Sequence, residues 1–259
     1  MLRSKLSSWR EYLTPINNTS NFDEKGELSP DEFIAAGDFL VAKFPTWQWG
    51  SSPPQLQKPF LPPDKQFLVT RKVPSVQRAS ALTEVHFDEN GDDDDDIIQV
   101  AAPQLTANAV NDEIADMEAL MNANDDDLAD FDDMEIVNND SKLRKYDMYI
   151  TYSTSYRVPK MYLVGYGGDG VPLTPQQMFE DINADYRDKT STIEKLPVAT
   201  ATTSVSIHPC KHANVMRVMM AHAKESGGVR ADHYLVVFLK FIASVCPGID
   251  YDYTMDALA

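Results

Sequence analysis

A chain of 259 residues, 43% of them hydrophobic, is long enough for one sizeable core plus appendages. The formal charge of -17 misleads as a global figure, because Asp88 to Asp140 holds nineteen Asp and Glu and no Lys or Arg, leaving 21 acids against 23 bases elsewhere. The absence of a basic stripe with interleaved aromatics argues against nucleic acid as a partner. Two cysteines and no apolar signal region predict a reducing cytosolic setting, and the longest apolar run, Tyr234 to Cys246, is broken by Lys240 and too short to span a bilayer.

In chain order, Leu2, Leu6, Trp9, Tyr12, Leu13 and Ile16 fall within an arc of about 120° on a helical projection, with Arg3, Lys5 and Arg10 near its edges. Pro15 stops or kinks that helix. The pattern fits first a terminal helix packed on the core, and second one lying in a membrane interface. Ser29, Pro30 and Glu32 carry cap, first-turn and capping-box signals for a helix over Pro30 to Lys43, with Phe33, Ile34, Gly37, Leu40, Val41 and Phe44 as its apolar face. Trp47 and Trp49 read as packing groups that pin a Pro- and Ser-rich connection to the domain. Gln66 to Val73, bounded by Pro63 and Pro74, reads as a strand, and Leu82 to Phe87 as a weaker one.

Within the acidic stretch, Ile114, Met117 and Leu120 recur at helical spacing, and Leu128, Phe131 and Met134 form a second sparse apolar set. Such islands cannot build a core. They suit either a docking element that folds against a partner or a linker kept soluble by its charge. Beyond it, Met148 to Tyr152 and Met161 to Tyr166 predict neighbouring strands, joined by Ser153 to Lys160 and closed by the turn Gly167 to Gly170. Thr174 caps a short helix with Met178, Phe179 and Ile182 inward. Ser204 to Ile207 is strand-like, Val215, Val218, Met219 and His222 mark the inner face of a helix starting after Pro209, and a last helix covers Ala231 to Val245. The order predicts an α+β domain with a small antiparallel sheet.

Val205 to His212 places Cys210 at a strand-to-helix junction, where orphan N–H groups stabilise a thiolate or a nearby oxyanion. Position alone leaves open a reactive cysteine and a structural one. His208, Cys210 and His212 alternate like metal ligands, but three groups so close converge on one ion only with unusual backbone geometry, and no fourth ligand is evident, so no metal is expected. Spacing does not exclude a cysteine protease, with His222 or His233 as the base. Cys246, before Pro247, reads as an ordinary thiol.

At these residues the sequence resembles the autophagy-related family of ubiquitin-conjugating-like (E2-type) enzymes. The likeness extends over Leu6 to Pro15, Phe44 to Trp47, Tyr152 to Lys160, Met178 to Ile182, Thr192 to Pro197, His208 to His212 and Asp252 to Met255. It implies an E2-like core in two parts, 19–87 and 141–259, an amphipathic segment over 1–18 and an acidic flexible insertion over 88–140. It implies that Cys210 takes a ubiquitin-like modifier as a thioester from an E1-like activating enzyme and passes it to the amine of phosphatidylethanolamine, with His208 and Thr192 as nearby supports. No cofactor is implied, because the activating enzyme spends the ATP. The resemblance also implies membrane contact through Leu2, Leu6, Trp9 and Leu13, docking of the activating enzyme on the acidic segment, an autophagy conjugate acting as an E3-like stimulator, and a cytoplasmic protein peripherally associated with autophagic membranes. The chain departs from the family at Lys224 to Arg230, where fungal members commonly carry a long charged insertion, sometimes with an aromatic-x-x-aliphatic motif that binds the modifier. The readings that compete with this one are a non-catalytic membrane-associated adaptor and a cysteine protease.

Overall fold

The computed structural model describes residues 14–83, 143–209, 212–225 and 230–252. The fold is organised on one long hairpin. Strands β3 (Arg144–Ser153) and β4 (Val158–Gly167) pair antiparallel along their whole length, from Arg144 opposite Gly167 to Ser153 opposite Val158. Side chains alternate across the pleat. Tyr146, Met148, Ile150, Tyr152, Met161 and Leu163 enter the main core, while Tyr149, Tyr162 and Val164 join Phe67, Val69, Leu196 and Val198 in a second cluster. Burial of both sets explains why these strands read as apolar runs.

Strand β2 (Phe67–Ser75) flanks β3, and β1 (Gln48–Gly50) closes that side. Strands β6 (Thr203–Ile207) and β5 (Ser191–Lys195) follow beyond β4, so that the sheet runs β1-β2-β3-β4-β6-β5 with every pairing antiparallel. Helices α1 (Phe22–Lys25), α2 (Pro30–Lys43), α6 (His212–Glu225) and α7 (Tyr234–Val245) supply the rest of the main core, and α3 (Ala79–Thr83), α4 (Pro175–Phe179) and α5 (Ala184–Thr190) are short connectors. This is the expected α+β architecture, a central antiparallel sheet flanked by helices, and it is consistent with an E2-like core.

Helix α2 begins and ends where its sequence dictates. The Ser29 side chain accepts the Glu32 N–H, the Glu32 side chain accepts the Ser29 N–H, and Pro30 opens the first turn. Phe33, Ala36, Gly37 and Leu40 are buried. Gly37 admits the Trp49 ring so closely that an added Cβ would stand 2.1 Å from Cζ2. Gly37→Ala should therefore destabilise the chain by about 1–3 kcal/mol, despite alanine's better helix propensity. Urea unfolding checks this, and a stabilised variant would show that Trp49 is not fixed there. Trp47 is wholly buried, and Trp49 donates to Asp38 at 2.9 Å, so both indoles pack as expected.

Several boundaries differ from those the sequence predicts. Strand β2 starts at Phe67 and runs through Pro74 to Ser75, with a bulge between Thr70 and Val73 where Lys72 takes a positive φ of 56° and its N–H donates to Asp147. Leu82 lies in α3, not in a strand, and residues 84–87 lie outside the described residues. On α6 the inner face is set by His212, Met216 and Met220, with Val215 and Met219 partly buried and Val218 half exposed. The candidate membrane residues Leu2, Leu6, Trp9 and Leu13, and the candidate docking residues Ile114, Met117, Leu120, Leu128, Phe131 and Met134, lie outside the described residues.

Asp181, wholly buried, ties together three parts of the fold. Its carboxylate accepts from Arg78, from Arg144 at 2.8 Å and from the Tyr146 hydroxyl, while Arg144 also pairs with Glu180 at 2.5 Å. The cluster thereby joins described residues on both sides of 84–142 in the sequence, Arg78 before and Arg144 after.

Candidate active site

Strand β6 ends at Ile207, His208 and Pro209 follow, and α6 begins at His212. Cys210 and Lys211 lie outside the described residues, so the surroundings of the cysteine are defined by its two flanks. On one flank, the His208 N–H donates to the Thr190 carbonyl at 2.5 Å, and the imidazole stands edge-on to Tyr156, ring centroids 5.4 Å apart. On the other, His212 is 1% exposed, with Nδ1 3.3 Å from the Pro159 carbonyl and its ring edge-on to Phe238 and Phe241. A carbonyl only accepts, so Nδ1 carries the proton in the bonded tautomer, and Nε2 is buried without a hydrogen-bond partner. Burial in this apolar setting lowers the His212 pKa to about 4. His212 is thus a neutral packing anchor in the first turn of α6. The tip and exit of the β3–β4 hairpin, at Tyr156 and Pro159, brace both flanks of the cysteine.

Thr192 sits on β5 opposite Ser206, two residues before His208 in the neighbouring strand. Its hydroxyl lies 3.0 Å from the Ser206 hydroxyl and donates to Glu194 Oε1 at 3.2 Å. That same oxygen accepts from Ser206 and from Lys160 Nζ at 2.7 Å, and Lys160, only 3% exposed, also lies 4.9 Å from the Tyr162 ring centroid. The structure therefore places Thr192 in a polar network on the β5–β6 ladder that leads to His208. Lys160, Glu194, Ser206 and Tyr156 are not singled out by the sequence alone. The alternation of Thr192 and Glu194 on one face of a strand is the available signal, but Glu194-Lys195 reads as ordinary surface charge.

Other groups do not converge here. Cys246 is wholly buried, and burial, with the nearby Asp181 charge, pushes its thiol well above the usual range, as suits the ordinary thiol expected there. His233 packs 4.6 Å from the Phe39 ring and 3.8 Å from Asp232. Among the described residues no group of three or more His, Cys, Asp or Glu side chains is arranged to hold a metal ion.

The segment that carries Cys210 lies inside the region that the chain shares with known proteins. The family model described as "Autophagocytosis associated protein, active-site domain" matches residues 32–253, nearly the whole described fold and both flanks of Cys210. The chain belongs to the autophagocytosis-associated protein family. It is 54% identical to Autophagy-related protein 3 of Meyerozyma guilliermondii and 53% identical to that of Scheffersomyces stipitis, in each case over 100% of both chains. To Autophagy-related protein 3 of Kluyveromyces lactis it is 51% identical over 99% of both chains. Membership in the autophagocytosis-associated family supports an enzymatic, thioester-forming role in ubiquitin-like protein conjugation, within autophagy and protein transport. Among the described residues no helix is long and apolar enough to cross a membrane.

Proposed function

We propose that the chain accepts the C-terminal glycine of a ubiquitin-like autophagy modifier on Cys210 and transfers it to the amine of phosphatidylethanolamine. The observation that carries this reading is the match of an active-site domain across the segment His208-Pro209-Cys210-Lys211-His212. The Cys210 thiolate attacks the thioester carbonyl of the modifier bound to the activating enzyme, a new carbon–sulfur bond forms, and the activating enzyme's thiolate leaves. The lipid amine then attacks the same carbonyl. The tetrahedral oxyanion collapses, Cys210 leaves as thiolate, and the nitrogen loses a proton to give an amide. Because a thioester is already an activated acyl donor, the protein's task is to orient the amine, assist its deprotonation and stabilise the oxyanion.

Support for these roles comes from what surrounds the cysteine. Cys210 stands two residues before α6, whose first-turn N–H groups favour developing negative charge. His208 is held through its backbone and ring, and Thr192 through its hydroxyl, so both serve as positional supports beside the cysteine. Leu2, Leu6, Trp9 and Leu13 contact the lipid surface and bring Cys210 to its substrate by raising local concentration. Ile114, Met117, Leu120, Leu128, Phe131 and Met134 dock the activating enzyme, an autophagy conjugate acts as the E3-like stimulator, and the protein works in the cytoplasm as a peripheral visitor to autophagic membranes.

Incubation with activating enzyme, modifier and ATP, followed by non-reducing electrophoresis, tests the assignment. A thiol-labile adduct that Cys210→Ala abolishes is expected, and a wild-type chain that forms none beside an active activating enzyme would sink the reading. In the same assay Leu6→Asp should leave adduct formation intact while weakening liposome binding and lipid conjugation. Equal lipid conjugation by Leu6→Asp and wild type would remove the membrane role of the N-terminal segment.

A further inference from the structure

The β5–β6 ladder has a register that fixes which backbone groups face outward. It is bracketed by the hydrogen bonds from His208 N–H to the Thr190 carbonyl and from Leu196 N–H to the Thr202 carbonyl. Between them, Thr192 opposite Ser206 and Glu194 opposite Ser204 are the hydrogen-bonded pairs. Ser191, Ile193 and Lys195 therefore turn their N–H and C=O groups away from β6. Strand β5 is last in the sheet, and these three donor-acceptor pairs have no backbone partner among the described residues. Edges of this kind are commonly blunted by proline or a bulge. Neither interrupts β5, and Ile193 is 44% exposed, while the Ser191 hydroxyl is buried without a hydrogen-bond partner.

We infer that this edge receives the extended C-terminal peptide of the modifier as an added antiparallel strand, an inference that rests on the thioester reading of Cys210. Direction supports that occupant. Strand β5 begins opposite Ile207 and runs away from the end of β6 that leads to His208, so a strand laid antiparallel to it arrives with its C-terminal end at Ser191. His208 lies abreast of Thr190, and two further residues carry the chain to Cys210, at most about 8 Å between Cα atoms. An extended peptide rising about 3.3 Å per residue covers that span in two or three residues beyond Ser191. Strand addition grips a peptide by its backbone, which suits a tail that ends in glycine and must lie extended for its carboxyl carbon to meet the sulfur. Thr192 and Glu194, whose backbone groups face β6, keep the receiving strand fixed through Ser206 on β6 and Lys160 on β4.

Amide hydrogen exchange, read residue by residue by NMR, tests this on the full chain. Cys210→Ser is charged with the modifier as a stable oxyester and compared with the uncharged protein. The Ser191, Ile193 and Lys195 amides are expected to slow about five- to tenfold on charging, the worth of one hydrogen bond, with little change at Thr192 and Glu194. A second comparison uses Ile193→Pro, which removes an outward N–H without touching the β6 ladder, against Ile193→Ala, which keeps it. In single-turnover discharge to phosphatidylethanolamine liposomes, Ile193→Pro should transfer about five- to tenfold more slowly at an unchanged melting temperature, and Ile193→Ala should stay within about twofold of wild type. Unchanged exchange at the three amides in a charged protein, or equal discharge by the two variants, overturns the edge assignment while leaving the cysteine chemistry standing. Protection of the same amides in the uncharged chain, together with sedimentation as a dimer, assigns the edge to a second copy and overturns it too. Failure of the wild type to form any adduct removes the thioester reading itself.

Discussion

Asp181→Ala should destabilise the fold by about 3–5 kcal/mol, because it removes the anion from a buried cluster and leaves its partners behind. Arg144 is 14% exposed and Arg78 22%. The first would keep Glu180, whose side chain is 53% exposed, and the second the carbonyls of Ser75 and Val76, but neither would retain a buried carboxylate. Burial, reinforced by the adjacent carboxylate, pushes the Tyr146 phenol far above its ordinary value, so it remains a donor at any working pH and would also lose its partner. The loss corresponds to a melting point lower by on the order of 10 °C for a chain of this size. Arg230→Ala is the matched control. That guanidinium is 77% exposed in its pair with Asp232, and its removal should cost no more than about 1 kcal/mol. Urea unfolding of the two variants decides the matter, and equal midpoints would show that the buried cluster contributes no more than a surface pair.

The parts of the fold legible in the sequence are those with a local physical cause. Ser29, Pro30 and Glu32 locate the start of α2 because the capping box is made by residues three apart, and Thr174 with Gln177 does the same for α4. What local pattern misplaces concerns proline and pairing. Pro74 reads as a strand limit and Pro159 as loop, yet both lie inside strands, at positions where the second side of the strand asks only for an acceptor: the Pro74 carbonyl accepts from the Asp250 N–H and the Pro159 carbonyl from His212. Strand β1 reaches only Phe67 to Val69 of β2, and β6 reaches only Tyr162 and Leu163 of β4. Neither proline therefore has to donate to a second ladder. Strand β1, three residues long, and β5, mostly polar, carry too little periodicity to be seen without their partners.

The helix behind the cysteine shows how one residue type displaces the phase of a correct element. Counting His212 as polar puts Val215, Val218, Met219 and His222 on the inner face, whereas the imidazole is itself core, held between Phe238 and Phe241. Burying His212 turns α6 so that Met216 and Met220 follow it inward and Val218 is left half exposed. The same limit applies to the candidate site. His208 and Thr192 can be named from the motif, but Tyr156, Lys160 and Glu194 reach it only through the pairing of β4, β5 and β6, which no local spacing encodes.

Acidification should reveal that buried imidazole. In the fold His212 titrates at about 4 against 6.5 for an ordinary histidine, because burial penalises the cation and His208 and Lys160 lie near enough to repel it. Below the ordinary value the unfolded chain binds a proton that the folded chain excludes. The stabilisation is therefore complete above the unfolded pKa and is lost as pH falls through the folded one, a total of about 3 kcal/mol between about pH 7 and about pH 4. His212→Leu keeps an apolar group of similar reach and forgoes a single long hydrogen bond to Pro159, so near neutrality it should unfold within about 1 kcal/mol of wild type. It should then lose about 3 kcal/mol less than wild type over the same acid range, because it has no proton to take up on unfolding. Parallel urea titrations at several pH values measure the difference directly. Identical acid slopes for the two proteins would mean that His212 is protonated in the fold, and the neutral anchor in the first turn of α6 would have to be abandoned.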